Sequence, residues 1–161
     1  MLLSSSGADE KDSKSSLDAW YKVPAEHSVD GKEFWGGWAS FKDGNFSSAL
    51  YIFDTKTNQY LTKPQTPTGR EIFGILYNEI VGAGGKIEAI IGNWNQGTNL
   101  ERLNKLLRDK VPFDEAALQT FTGGQAQQRG FTKVKRIGGT LNPDGVTWQS
   151  VNIEFTRPSG N

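Results

Sequence analysis

The sequence predicts an α+β fold: a mainly antiparallel sheet with three to four short helices, in the order ββ-α-β-α-α-ββ. Three observations predict it. Asp43-Gly44 sits between two aromatic runs, which is the signature of a hairpin. Threonine-led capping boxes open apolar stripes of helical period in the middle of the chain. Period-two alternation then returns near the C-terminus.

Residues 1–16 carry no aromatic side chain, and 4–16 are Ser, Gly, Ala, Asp, Glu and Lys, so this stretch reads as a disordered linker or tail. A single domain is expected over 17–161, beginning where Leu17, Trp20 and Tyr21 first offer apolar anchors. Strands at 33–41 and 46–54 flank the turn 42–45. Ala49, Tyr51 and Phe53 alternate with Leu50 and Ile52, so the second strand reads as covered on both faces. A short extension at 59–61 and a two-proline connector at 63–67 follow.

Thr68-Gly69-Arg70-Glu71 is a capping box, with Ile72, Phe73, Leu76 and Ile80 at helical spacing behind it. Gly82 and Gly84-Gly85 stop that helix. Residues 86–94 read as a central strand, since Ile87, Ala89 and Ile91 alternate with Ile90. Thr98-Asn99-Leu100-Glu101 opens a second helix bearing Leu100, Leu103, Leu106 and Leu107. A third helix is expected over 112–119, and Thr122-Gly123-Gly124-Gln125 starts a short one closed by Gly130. Strands at 131–137 and 146–155 finish the chain about the turn 142–145. Val146 and Trp148 are out of phase with Val151, Ile153 and Phe155, which predicts a bulge near Gln149 and Ser150.

Composition narrows the function classes. The 161 residues are enough for one ordinary core. Eighteen basic residues balance eighteen acidic ones, so a globally polybasic nucleic-acid coat is excluded. The charge is nonetheless split: 1–100 carry nine basic and twelve acidic groups (−3), and 101–161 carry nine and six (+3). Cysteine is absent, which excludes disulfides, cysteine nucleophiles and thiolate metal sites. One histidine excludes any centre that needs two imidazoles. No metal and no cofactor are expected. No stretch reaches the roughly 18 consecutive apolar residues of a membrane span, and Met1-Leu2-Leu3-Ser4 lacks the basic and apolar regions of a signal peptide.

Four groups could carry chemistry. Asn93-Trp94-Asn95-Gln96-Gly97-Thr98-Asn99 lies where the central strand gives way to a helix; its amides, Asn93 and Asn99 among them, offer donors and acceptors, and Trp94 could stack on a ring. The same residues also make an ordinary capped turn with Trp94 in the core. Thr122-Gly123-Gly124 could let backbone N–H groups approach an anion, or could simply begin a helix. Arg129, Lys133, Lys135 and Arg136 form a basic stretch; both lysines share one strand face and Arg136 takes the other, which suits phosphate or a solvated face. His27, in a loop, is the side chain whose ordinary pKa suits proton transfer near neutrality.

Gly92-Asn93-Trp94, Asn99-Leu100 with Asn104, Thr122-Gly123, Ala126 and Gly130-Phe131 resemble a pattern in C-terminal effector domains of bacterial polymorphic toxin systems. The resemblance covers roughly 70–157 and nothing in 17–65. It implies a secreted or injected module at the end of a larger delivery protein, acting in the target-cell cytoplasm and neutralised by a cognate immunity protein. It also implies an enzyme, most often a nuclease on RNA or DNA. The barnase–EndoU–colicin–RelE ribonucleases are similar in outline, with helices followed by an antiparallel sheet that holds the active site.

Under that expectation Lys133 and Lys135 neutralise phosphate, and Arg129 or Arg136 aids the charged transition state. Thr122 and Asn93 orient the reacting group, with His27 as reserve base. Trp94, Asn99, Gly123 and Gly124 hold the nucleic-acid substrate, and the chain acts as a monomer. Two alternatives stand beside it. One is an NAD-consuming toxin (ADP-ribosyltransferase or glycohydrolase) that uses Glu71 or Glu154. The other is a non-enzymatic carbohydrate-binding module built on Trp35, Trp38 and Trp94.

Overall fold

The computed structural model describes residues 3–5, 15–27, 31–51 and 68–159. Its contacts divide the chain into two compact units, Met1–Ile87 and Glu88–Asn161, where one domain over 17–161 was expected. The α+β class holds, with antiparallel strand pairing and four α-helices among the described residues.

The first unit is an antiparallel meander, β1 (Leu3–Ser5), β2 (Ser16–Val23), β3 (Phe34–Lys42) and β4 (Asn45–Leu50), with helix α1 (Gly69–Gly82) on one face. The expected hairpin is β3–β4, and its turn uses positive φ at Asp43 (50°) and Gly44 (89°), which is why Asp-Gly belongs there. β2 adds a strand to the expected order. Its sequence alternates as a half-buried strand should: Leu17, Ala19 and Val23 are buried, while Lys22 is exposed. β1 pairs with β2 through Leu3↔Ala19 and Ser5↔Leu17, so part of the expected tail carries strand pairing. Residues 6–14, the strand beyond Tyr51, the extension 59–61 and the connector 63–67 lie outside the described residues.

The capping box of α1 is complete. Glu71 N donates to Thr68 Oγ1 (3.2 Å) and Thr68 N donates to Glu71 Oε1 (2.9 Å). Ile72, Phe73, Leu76 and Ile80 form the buried stripe, and Phe46 of β4 meets Phe73 edge-on with centroids 5.4 Å apart. Gly84, at φ 100°, ends the helix as expected.

The second unit holds β5 (Ala89–Trp94), α2 (Thr98–Arg108), α3 (Phe113–Leu118), α4 (Phe121–Gln128), β6 (Lys133–Leu141) and β7 (Trp148–Thr156), with strand order β5-β7-β6. Ile153, Phe155 and Val151 of β7 point to the inner, buried face together with Ile90 and Trp94 of β5. The expected bulge is present: Thr140 pairs with Ser150 but Leu141 pairs with Trp148, leaving Gln149 as the extra residue. A second one leaves Ile137 extra between Arg136↔Ile153 and Gly138↔Asn152.

Two helix starts differ from expectation. α2 is preceded by Gly97, which makes no side-chain cap, and Thr98 is already helical. α4 is capped by Thr120, whose Oγ1 accepts from Gly123 N (3.0 Å), so Thr122 lies inside the helix. In both cases the chain turns inward a residue or two from the threonine that the four-residue pattern favoured.

Thr68→Ala should therefore cost about 1 kcal/mol in urea unfolding, because it removes an N-cap acceptor, whereas Thr98→Ala should cost only a few tenths. In the β6–β7 connection, the Asp144 carboxylate accepts from Thr147 Oγ1 (2.7 Å), Thr147 N (2.9 Å) and Val146 N (2.9 Å). Those bonds, led by the Thr147 hydroxyl, hold its pKa below the ordinary carboxylate value. A lowered folded-state pKa stabilises above the unfolded value and is lost as pH falls through the folded one. Asp144→Asn should lower Tm at pH 7, and the gap to the parent chain should close as pH drops below about 4.

Candidate functional site

The inner side of the second unit takes up most of the expected site residues. Trp94 is 8% exposed, and its indole lies over Gly92, where an added Cβ would stand 2.7 Å from the ring. Its rings are core and cannot stack on a ligand. Asn99 uses both ends of its amide on one residue: Nδ2 donates to Thr122 Oγ1 (3.0 Å) and Oδ1 accepts from Thr122 N (3.1 Å). A first-turn N–H of α4, which the helix itself cannot satisfy, is thus held from α2. Gly124 N donates to Thr120 O (2.8 Å), and Gly123 N is bonded to Thr120 Oγ1. These N–H groups are occupied, so the start of α4 is not an anion cradle.

Gly123 has another reason to be glycine. A Cβ there would collide with the backbone oxygen of Ala117, because α4 folds back tightly on α3. Arg129 Nη1 donates to the backbone oxygen and to Oε1 of Gln125 (both 3.1 Å), tying down the end of α4. Arg136 points to the inner face, where its guanidinium lies 4.8 Å from the Trp148 ring centroid. His27 belongs to the first unit, at the end of a 3₁₀ turn, with Nε2 3.8 Å from Glu26 Oε2.

The outer side of the same sheet does gather a group. Lys133 pairs with Thr156, Lys135 with Glu154, and Asn93 with Asn152, so these six side chains share one face. Asn152 Nδ2 donates to Asn93 Oδ1, bridging β7 and β5. Both lysines are exposed. Asn152 was missed from the sequence, although Ser150, Asn152, Glu154 and Thr156 alternate with buried residues along β7 and mark a polar face.

β6 itself lies at the end of the strand order, paired along one edge with β7. Seven of its nine residues are exposed, and Ile137 (50%) and Leu141 (44%) are among them. Among the described residues no strand covers its other edge, no group of acidic or imidazole side chains could hold a metal ion, and no buried side-chain polar atom lacks a hydrogen-bond partner. No helix of the described residues is long and apolar enough to cross a membrane.

No family model matches the chain, and no curated protein matches it. Among solved structures it is similar to the aminoglycoside 6'-N-acetyltransferase from Enterococcus faecium, at 13% identity over 100% of both chains and a TM-score of 0.37. The expectation of a delivered nuclease toxin, with its NAD-consuming and carbohydrate-binding alternatives, is corrected: Trp94, Asn99 and Thr122, on which it leaned, are spent on packing and hydrogen bonds inside the unit, and the solved structure just named is an acetyltransferase. Trp94, Asn99, Thr122, Gly123, Arg129 and Arg136, which that expectation placed at a reaction centre, are committed to packing and positioning. So slight a likeness is no argument for acetyl transfer either.

The two glycines of α4 separate the positional reading from a functional one. Gly123→Ala should destabilise by about 1–3 kcal/mol or more, because the obstacle is backbone. Gly124→Ala, where nothing lies within 4 Å of the new Cβ, should be neutral or stabilising by up to about 1 kcal/mol. Urea unfolding of the two variants checks both.

Proposed function

We propose that the second unit is a protein-binding module that takes an acidic, extended segment of a partner protein as an added strand on β6. One observation carries this reading: a nine-residue strand stands at the sheet edge with its outer N–H and C=O groups unpaired by any described strand. Its charge selects the partner. From 116 to 143 the chain has no acidic residue, while Lys133 and Lys135 face one side of β6 and Arg136 the other. A strand laid beside β6 would place its side chains opposite Lys133 and Lys135, and each opposite-charge pair contributes roughly 0.2–1 kcal/mol. A second copy of β6 laid parallel would place lysines beside lysines, so the same charges that admit an acidic strand disfavour that self-pairing.

The test uses the full chain and a fluorescent peptide of alternating Glu and Val, with a Lys/Val peptide as control. Anisotropy should report binding of the acidic peptide that weakens from 50 to 300 mM salt, on the order of the screening expected for exposed charges. Lys133→Glu with Lys135→Glu should weaken it by about tenfold or more, while the urea midpoint stays close to that of the parent chain. Replacing both lysines with Val should instead promote self-association, visible by light scattering. Equal binding of the two peptides, or indifference to the charge reversal, would sink the proposal.

A further inference from the structure

On the first unit, the face of the meander opposite α1 carries three tryptophans. Trp20 of β2 pairs directly with Trp38 of β3, and Trp35 pairs with Lys22. Residues 35 and 38 are an odd number apart and in a regular strand would point to opposite faces. They share a face here because Gly36 is an extra residue, accommodated where Tyr21 pairs with Gly37 and Lys22 with Trp35. Gly36 is itself buried, and a Cβ on it would run into Val23 Cγ2. The core beneath therefore keeps the bulge, and the bulge aims Trp35 outward, where it is 48% exposed.

The rings form a corner rather than a stack. Trp20 and Trp35 have centroids 5.3 Å apart with planes inclined at 59°, and Trp38 extends the surface at 5.8 Å from Trp20. One cation already uses it: Lys22 Nζ lies 4.9 Å from the Trp35 centroid and 3.6 Å from Glu33 Oε1. An indole face and a carboxylate thus meet around one ammonium. Both members of that ion pair are largely exposed, 47% for Lys22 and 62% for Glu33, so Lys22 is a displaceable occupant. A primary ammonium is compact and strongly hydrated. A quaternary ammonium is larger, sheds water more readily and can touch two inclined rings at once, which is how aromatic cages recognise it.

We infer that the Trp20–Trp35–Trp38 face, with Glu33 at its rim, is a binding site for a small organic ammonium ligand of the choline class, and that Lys22 occupies it when no ligand is bound. This site stands independently of the β6 reading.

Choline chloride titrated into the full chain, followed by the indole N–H signals in two-dimensional NMR, tests it. Sodium chloride at equal ionic strength and 3,3-dimethylbutan-1-ol, the neutral carbon analogue, are the controls. Saturable shifts are expected at Trp20, Trp35 and Trp38, with Trp94 and Trp148 unmoved. Lys22→Gln should tighten binding by about threefold to fivefold, Glu33→Gln should loosen it by about as much, and Trp35→Ala should weaken it by about tenfold or more. Lys22→Gln and Glu33→Gln change only exposed side chains, so they remain decisive if the tryptophan variant unfolds. The inference is overturned by an equal response to the neutral analogue, by an absence of shifts, or by a Lys22→Gln variant that binds no tighter. Capture by phosphatidylcholine vesicles without any response to free choline overturns it as well.

Discussion

Two asparagines on α2 hold the second unit together, and each does so with both ends of its amide. Asn99 grips Thr122 at the start of α4, and Asn104 accepts from Trp148 N (2.8 Å) and donates to Trp148 O (2.9 Å) on β7. The last pairing of β5 with β7 is Trp94↔Val151, so Trp148 lies beyond the reach of that strand. The Asn104 amide supplies the donor and acceptor that a longer β5 would have supplied. A part-buried backbone pair left without them would cost on the order of 1–3 kcal/mol for each orphaned group. The leucines of α2 provide burial without direction; the asparagines set which residue of α4 and which residue of β7 the helix meets.

Those bonds explain why the fold was more legible than the site. Helix α1 announced itself because its cap, its stripe and its stop lie in contiguous sequence, and the β3–β4 hairpin did so through Asp43-Gly44. Strand β2 is hard to read although Leu17, Ala19 and Val23 alternate with Asp18 and Lys22, because the outward-facing Trp20 next to Tyr21 masks the alternation of apolar and polar residues. The partners of Asn99 and Asn104 lie 23 and 44 residues away, and no local pattern reports them. An amide committed to a distant backbone and an amide awaiting a ligand look the same in sequence.

The function drawn from the motif resemblance is overturned for a related reason. Gly92 lies under Trp94, Asn99 and Asn104 staple α2, Gly123 lets α4 approach α3, and Gly130, at φ 89°, turns the chain into buried Phe131. Residues of this kind recur wherever the same packing problem recurs, whatever chemistry the surface carries. They can report a way of folding and say little about an activity. What differs between proteins of one scaffold is carried on exposed faces and edges, which here are β6, the polar face beside it and the tryptophans of the first unit.

Both surfaces owe their form to an extra residue in a strand. On β3 the additional Gly36 converts an odd spacing into a shared face and gathers three indoles. On β6 the additional Ile137 does the reverse: it resets the phase after Arg136, so that Gly138 rather than a bulky side chain lies opposite Asn152, where a Cβ would come 3.1 Å from the Asn152 oxygen. That leaves the Asn93–Asn152 bridge room on the open face while Ile137 itself is pushed into solvent. In each unit the buried residues on either side of the extra one keep the alternation that burial demands. On β3 the core keeps the bulge, since Gly36 is buried against Val23, whereas on β6 the extra Ile137 is exposed and packs no core. Each one reorients a side chain that the outer surface presents.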